Sequence, residues 1–167
     1  VLALGIDPGT ATVGYGVVKS REDGTMEAID YGVITTPAAD TMPTRLLAIH
    51  DRLTAIIEQH TPEIAAVEKL FFGKNVTTAI TVAQGRGAIL ITLARARLRI
   101  EEYEPSIIKQ TVSGYGNAKK PQMQEMVRIL LGLEHIPKPD DAADALAIAI
   151  TALQIGGYTA LESDEGT

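Results

Sequence analysis

Four carboxylates stand where acidic chemistry can be done. Asp7 closes the apolar run Leu2 to Ile6 and opens the turn Asp7-Pro8-Gly9-Thr10. Glu68 follows directly on a second run, Ile64-Ala65-Ala66-Val67. Asp141 and Asp144 lie three residues apart where an Ala-rich apolar segment begins, so on a helix both project from one face. Each has an ordinary reading by itself. An Asp at the head of a turn satisfies nearby backbone N–H groups, and acids in a first helical turn complement the helix dipole. Asp144 fits that account less well, because it stands within the Ala-rich stretch. Together the four suggest a ligand site, since open α/β sheets place ligands at strand carboxyl ends. Clustered carboxylates repel one another and need an offsetting charge. The chain has no cysteine, and its three histidines, His50, His60 and His135, are far apart. Oxygen-only donors match a hard cation such as Mg²⁺ or Mn²⁺. Two such ions ~3.5–4 Å apart can activate water and stabilise the leaving oxygen in phosphodiester hydrolysis. Whether the strands carrying Asp7 and Glu68 are neighbours is left open at this level.

The elements that must position these acids follow from the apolar pattern. Val1 to Val18 reads as two strands joined by a tight polar turn, the second strand carrying Gly14 and Gly16. Glu27 to Thr36 reads as a third strand. Thr44 to His60 carries a helical stripe of Leu46, Leu47, Ile49, Leu53, Ile56 and Ile57, ended by Thr61-Pro62. Ile64 to Val67 fits a buried parallel strand reached by a crossover. Phe71 to Asn75 is a loop. Val76 to Leu98 is helical in character, with Asn75 as its N-cap and Gly85 and Gly87 in its interior. Those glycines permit close approach of a helix, of DNA or of a second subunit, or they mark a break. Ile100 to Tyr103 is a further strand and Ile107 to Val112 a candidate short helix. Ser113 to Pro121 is a flexible basic loop, followed by a helix with Met123, Met126, Val127, Leu130 and Leu131 on one stripe and a stop at Gly132. Ala145 to Ile155 is a strongly apolar helix. The expected fold is α/β, a mixed sheet with helices on its faces. Residues 1–157 form the domain, and 158–167 an acidic, frayed tail.

Composition narrows the class. The chain has 167 residues, 46% hydrophobic and 22% charged, enough for one full core. No stretch reaches the ~18 uninterrupted apolar residues of a membrane span, and the first segment lacks the basic start of a signal peptide. A cytoplasmic protein with no membrane partner is expected. The net charge of −6 is unevenly spread. Between Lys69 and Arg128 ten basic residues face four acidic ones, whereas the rest has five basic and seventeen acidic. Either an electropositive face for nucleic acid or a set of solvated helix faces produces this pattern.

At this point the sequence resembles the RuvC-type Holliday junction resolvases of bacteria, within the ribonuclease H-like superfamily. The resemblance spans about Leu2 to Ile155 and rests on LGIDPGTATVGYGVV from Leu4, AAVEKLFFGKN from Ala65, AQGRGAIL from Ala83, IIKQTVSGYGNAKK from Ile107 and DAADALAIAI from Asp141. It implies a ribonuclease H-like five-stranded mixed sheet with helices on both faces. The family's four catalytic, metal-binding acids fall on Asp7, Glu68, Asp141 and Asp144, holding Mg²⁺ (two ions per site) or Mn²⁺. The implied reaction is a pair of symmetric nicks across a four-way DNA junction, made by a homodimer that works with a branch-migration helicase. Metal-bound water attacks with inversion at phosphorus and leaves 5′-phosphate and 3′-hydroxyl ends. In that scheme Asp7 bridges the ions, Glu68 and Asp141 complete their shells, and Asp144 ligates or orients the water. Phe71 matches the aromatic residue that wedges into the junction, and Lys109 and Lys120 match basic residues near the scissile phosphate. Lys119, Lys74, Asn75 and Arg86 are further DNA-contact candidates, and the helix from Val76 is the candidate dimer interface.

Rival readings share parts of the pattern. Actin-type phosphotransferases have the same strand, acidic turn and glycines, but enclose nucleotide between two large domains. A ribonuclease H-like nuclease acting on RNA is closer, and a catalytically silent junction-binding module is the non-enzyme alternative.

Overall fold

A computed structural model describes residues 1–70 and 75–164. Phe71 and Lys74, with Phe72 and Gly73 between them, lie outside the described residues. The elements are β1 (Leu2–Asp7), β2 (Thr12–Ser20), β3 (Met26–Thr35), α1 (Met42–His60), β4 (Ile64–Glu68), α2 (Val76–Arg95), β5 (Arg99–Tyr103), α3 (Pro105–Ser113), α4 (Lys120–Leu130) and α5 (Asp140–Asp164). They form one five-stranded sheet in the order β3-β2-β1-β4-β5. The first three strands are an antiparallel meander, and β4 and β5 join in parallel beside β1. The strands bearing Asp7 and Glu68 are therefore neighbours.

Side-chain alternation along the strands divides the core in two. Leu4, Ile6, Val13, Val17, Ile34, Ala65 and Val67 face α1 and α2, meeting Ile49, Leu53, Ile57, Ile89 and Leu93. Ala3, Val18, Ile64 and Ala66 face the opposite layer, where α3, α4 and α5 contribute Ile108, Val112, Val127 and Leu146, with Leu131 at the end of α4 beside them. Both faces are thus covered, as a sheet with parallel pairs requires.

Several boundaries differ from the sequence reading. The short segment after Pro105 is helical over nine residues, with Pro105 in its first turn and Gly114 in the left-handed conformation at its end. α5 is longer than Ala145 to Ile155 at both ends, beginning at Asp140 and continuing to Asp164. Gly156 and Gly157, each costing ~1 kcal/mol against Ala in a helix interior, do not end it. By length and composition alone α2 is apolar enough to cross a bilayer. Its Ala79, Gly85, Ile89 and Leu93 are instead buried in the protein.

Candidate active site

Asp7 sits on the α5 side of the sheet, because Leu4 and Ile6 fill the other side. Glu68 falls on the same side, two residues beyond Ala66 of that face. A strip without side chains runs next to Asp7. Gly14 is the cross-strand partner of Asp7, and Gly16 that of Gly5. A Cβ on Gly14 would overlap the Asp141 carbonyl, one on Gly5 the Ala145 carbonyl, and one on Gly16 would come within 2.8 Å of the Leu146 amide. These three glycines let α5 lie directly on β1 and β2. Its first two turns then bring Asp141 and Asp144 over Asp7. One carboxylate oxygen from each of Asp7, Asp141 and Asp144 lies within 4.8 Å of the other two.

Glu68 borders this triad, as its electrostatics record. Burial pushes the Asp7 carboxyl up to about 8, assisted by Asp144, by a hydrogen bond with Asp141 and by Glu68. Glu68 is also raised, first by burial and then by Asp144, with Lys109 opposing. Asp144 is raised by burial, while Lys120 opposes. Lys120 is itself held above the usual lysine value, chiefly by Asp144. Its Nζ lies 3.4 Å from Asp140 Oδ2 and 3.8 Å from Asp144 Oδ2. The site is thus an excess of half-buried negative charge with too few cations. Hard oxygen donors at this separation fit a divalent metal ion, and bound positive charge would remove the repulsion.

The excess charge sets the pH dependence of folding without metal. Asp7 binds its proton more tightly in the folded state than at its ordinary value of 3.8. Its contribution is complete below about pH 4 and is lost as the pH rises through about 8. Denaturant unfolding in chelator will therefore show wild type losing stability relative to Asp7→Asn between pH 4 and 8. For a single proton the gap widens by at most ~1.4 kcal/mol per pH unit over that range. A gap that stays flat over this range contradicts the assignment.

The sequence-predicted DNA-contact residues divide into groups. Lys109, Lys119 and Lys120 line one cavity of about 350 Å³ with Glu68 and Asp144. Asn75 caps α2, its Oδ1 accepting from the Thr78 amide at 3.2 Å. Arg86 lies on the other flank of Glu68, in a cleft of about 250 Å³ with Pro8, Lys69 and Leu70. Gly85 lets α2 approach the turn after Asp7, since a Cβ there would overlap the Gly9 carbonyl. The sequence reading missed Glu102, which pairs with Arg86, and Gln124, whose Nε2 donates to Asp140 Oδ1 at 3.1 Å. No local pattern marks either pairing.

The chain matches a known family. The family profile described as crossover junction endodeoxyribonuclease RuvC matches residues 3–152. The chain belongs to the RuvC family. A RuvC crossover junction endodeoxyribonuclease of Chloroflexus aggregans is 60% identical over 148 residues, covering 89% of this chain and 90% of that one. The structure of T. thermophilus RuvC in complex with Holliday junction substrate superposes with a TM-score of 0.90 at 33% identity, over 95% of this chain and 96% of that one. A second Thermus thermophilus RuvC structure gives a TM-score of 0.86 at 34% identity, over 93% and 97%.

Proposed function

We propose that this chain resolves four-way DNA junctions by hydrolysing one phosphodiester bond in each of two symmetry-related strands. The observation that carries the reading is the meeting of Asp7, Asp141 and Asp144 oxygens at the end of the central strand, with Glu68 beside them. Those four carboxylates would hold Mg²⁺, two ions per site, with Mn²⁺ able to substitute. The ions would supply charge that lowers the pKa of water and stabilises the departing oxygen. The chain's own part is positional. Asp7 is fixed by β1, Glu68 by the end of β4, and Asp141 and Asp144 by the first turns of α5. Lys109, Lys119 and Lys120 line the cleft beside the acids, where a phosphate would enter. Lys120, whose Nζ lies beside Asp140 and Asp144, is the candidate to meet that phosphate. Water oxygen joins phosphorus as the P–O3′ bond breaks, leaving a 5′-phosphate and a 3′-hydroxyl. Phe71 is assigned to the junction as a wedge on family resemblance, and Lys74 is a further candidate for DNA contact.

Two nicks at a fixed spacing need two sites related by a two-fold axis. α2 offers a surface for it. Val76, Ile80 and Ile91 are 65%, 55% and 60% exposed and follow helical spacing on one stripe, with Gly87 uncrowded between them. Such a stripe offers apolar surface that a partner could bury. We assign it to a second copy of the chain. The same reading places the enzyme in the cytoplasm with a branch-migration helicase as its partner.

The test is strand cleavage of a mobile synthetic four-way junction with Mg²⁺ or Mn²⁺, beside linear duplex and RNA–DNA hybrid, with the mass in solution measured in parallel. Paired nicks on the junction alone, from a particle of twice the chain mass, are expected. Faster cutting of the hybrid would favour an RNA-directed nuclease. Binding without cutting in either metal would favour the silent binding module.

A further inference from the structure

Arg86 stands on the flank of the site opposite the lysine-lined cleft, and its guanidinium is engaged through two of its nitrogens. Its side chain is only 15% exposed, and Nη2 lies 2.6 Å from Glu102 Oε2 on β5. Nε donates to the backbone carbonyl of Glu68 at 3.4 Å. The location matters because Glu68 is where β4 outruns its neighbour. The β1 ladder ends at Ile6 opposite Val67, so Glu68 has a strand partner only on the β5 side, at Tyr103. Arg86 ties that carbonyl on the side β1 leaves open. A guanidinium already neutralised by a carboxylate at 2.6 Å is poorly placed to attract a phosphate.

The same stretch of α2 holds the other acid-bearing strand. Thr10, in the turn directly after Asp7, donates its hydroxyl to the Thr81 carbonyl. Gly85 meets the Gly9 carbonyl in a space that admits no Cβ. Thr36 donates to the Thr10 carbonyl at 2.6 Å and completes the anchorage of that turn. One helical segment, Thr81 to Arg86, therefore clasps the ends of both β1 and β4.

We infer that Arg86 is a positioning residue, which with Glu102 fixes the end of β4 so that the Glu68 carboxylate meets the metal held by Asp7. It acts through the backbone of Glu68 and contacts neither DNA nor the reacting phosphate. The inference rests on the metal-dependent reading above. Lysine cannot replace Arg86, because a point charge can keep the Glu102 pair but cannot bridge two acceptors in a fixed fork.

The experiment compares wild type, Arg86→Lys, Arg86→Ala and Glu102→Gln for Mn²⁺ affinity by calorimetry without DNA, for junction Kd across salt concentrations in chelator, and for junction cleavage. Arg86→Lys and Glu102→Gln keep the question open to refutation should Arg86→Ala not fold. Mn²⁺ affinity is expected to fall about 10-fold or more in both Arg86 variants and less in Glu102→Gln, with kcat falling in parallel. Junction Kd and the slope of its salt dependence should match wild type. Unchanged Mn²⁺ affinity overturns the inference, as does a junction Kd that is weakened and less salt-dependent, the signature of a lost phosphate contact. Failure of wild type itself to bind Mn²⁺ or cut the junction would instead sink the metal-dependent reading.

Discussion

Asp7→Asn will reduce junction cleavage on the order of 10³-fold or more, while the metal-free protein becomes harder to unfold at pH 8. Both effects have one cause. Asp7 is the acid whose proton affinity is raised by burial and by each of the other three carboxylates. Holding that charge costs folding energy, and on the metal-dependent reading a bound cation would offset the cost. Asn keeps the shape and one oxygen but removes the charge. On that reading the cation would lose a ligand that other acids cannot replace, since Asp141 and Asp144 are fixed by α5 and Glu68 by the end of β4. Residues that act as a unit in catalysis lose most of their effect when one is removed. Initial rates on a four-way junction, with binding measured separately in chelator, check the first half of the expectation. Unfolding midpoints with and without metal check the second. A variant that retains a tenth of the rate would show that Asp7 is not a ligand. A variant less stable than wild type at pH 8 would show that its charge is better solvated than the geometry indicates.

The acids were legible because each breaks a local rule. A carboxylate ending an apolar strand, or standing inside an Ala-rich helix, is costly without a partner. Asp7, Glu68 and Asp144 stand out for that reason, and the structure brings Asp7 and Asp144 together with Asp141 and sets Glu68 beside Asp144. The meander of β1 to β3 was legible because adjacent strands pair locally. That β4 lies beside β1 was not, because parallel pairing joins residues some sixty positions apart with no marker in the chain. Arg86 shows the same limit. Beside two glycines it reads as a residue facing DNA, and nothing nearby announces that Glu102, sixteen residues on, will sit against it. Gly85 left several partners open, and its actual neighbour is the Gly9 carbonyl of the same chain. In each case the missing information is a long-range contact that the sequence does not encode as a local pattern.

The glycines of the first hairpin admit a stronger test of how the site is built. Gly14→Ala is expected to destabilise the fold by ~1–3 kcal/mol, the range for overpacking, and to lower cleavage by about 100-fold. Nothing in the backbone conformation forbids alanine, since Gly14 is not among the positive-φ glycines and alanine is easier to order than glycine in a strand. The whole effect is steric. The added methyl would occupy the space of the Asp141 backbone carbonyl, which cannot rotate aside as a side chain can. α5 must shift, and Asp141 and Asp144 must move with it away from Asp7. A displacement near 1 Å in a reacting constellation costs ~10²-fold in rate. Gly156→Ala on the same helix is the contrasting case. Its Cβ would lie 3.6 Å from Ile64 Cδ1, an ordinary contact, so it should stabilise by ~0.5–1 kcal/mol with cleavage unchanged. Equal cleavage by both variants would mean that α5 can rise from the sheet without opening the acidic cluster. The bare strip would then serve packing alone. Loss confined to Gly14→Ala, with metal affinity falling alongside the rate, would mean that the absence of three side chains on β1 and β2 is what brings the acids of α5 onto Asp7.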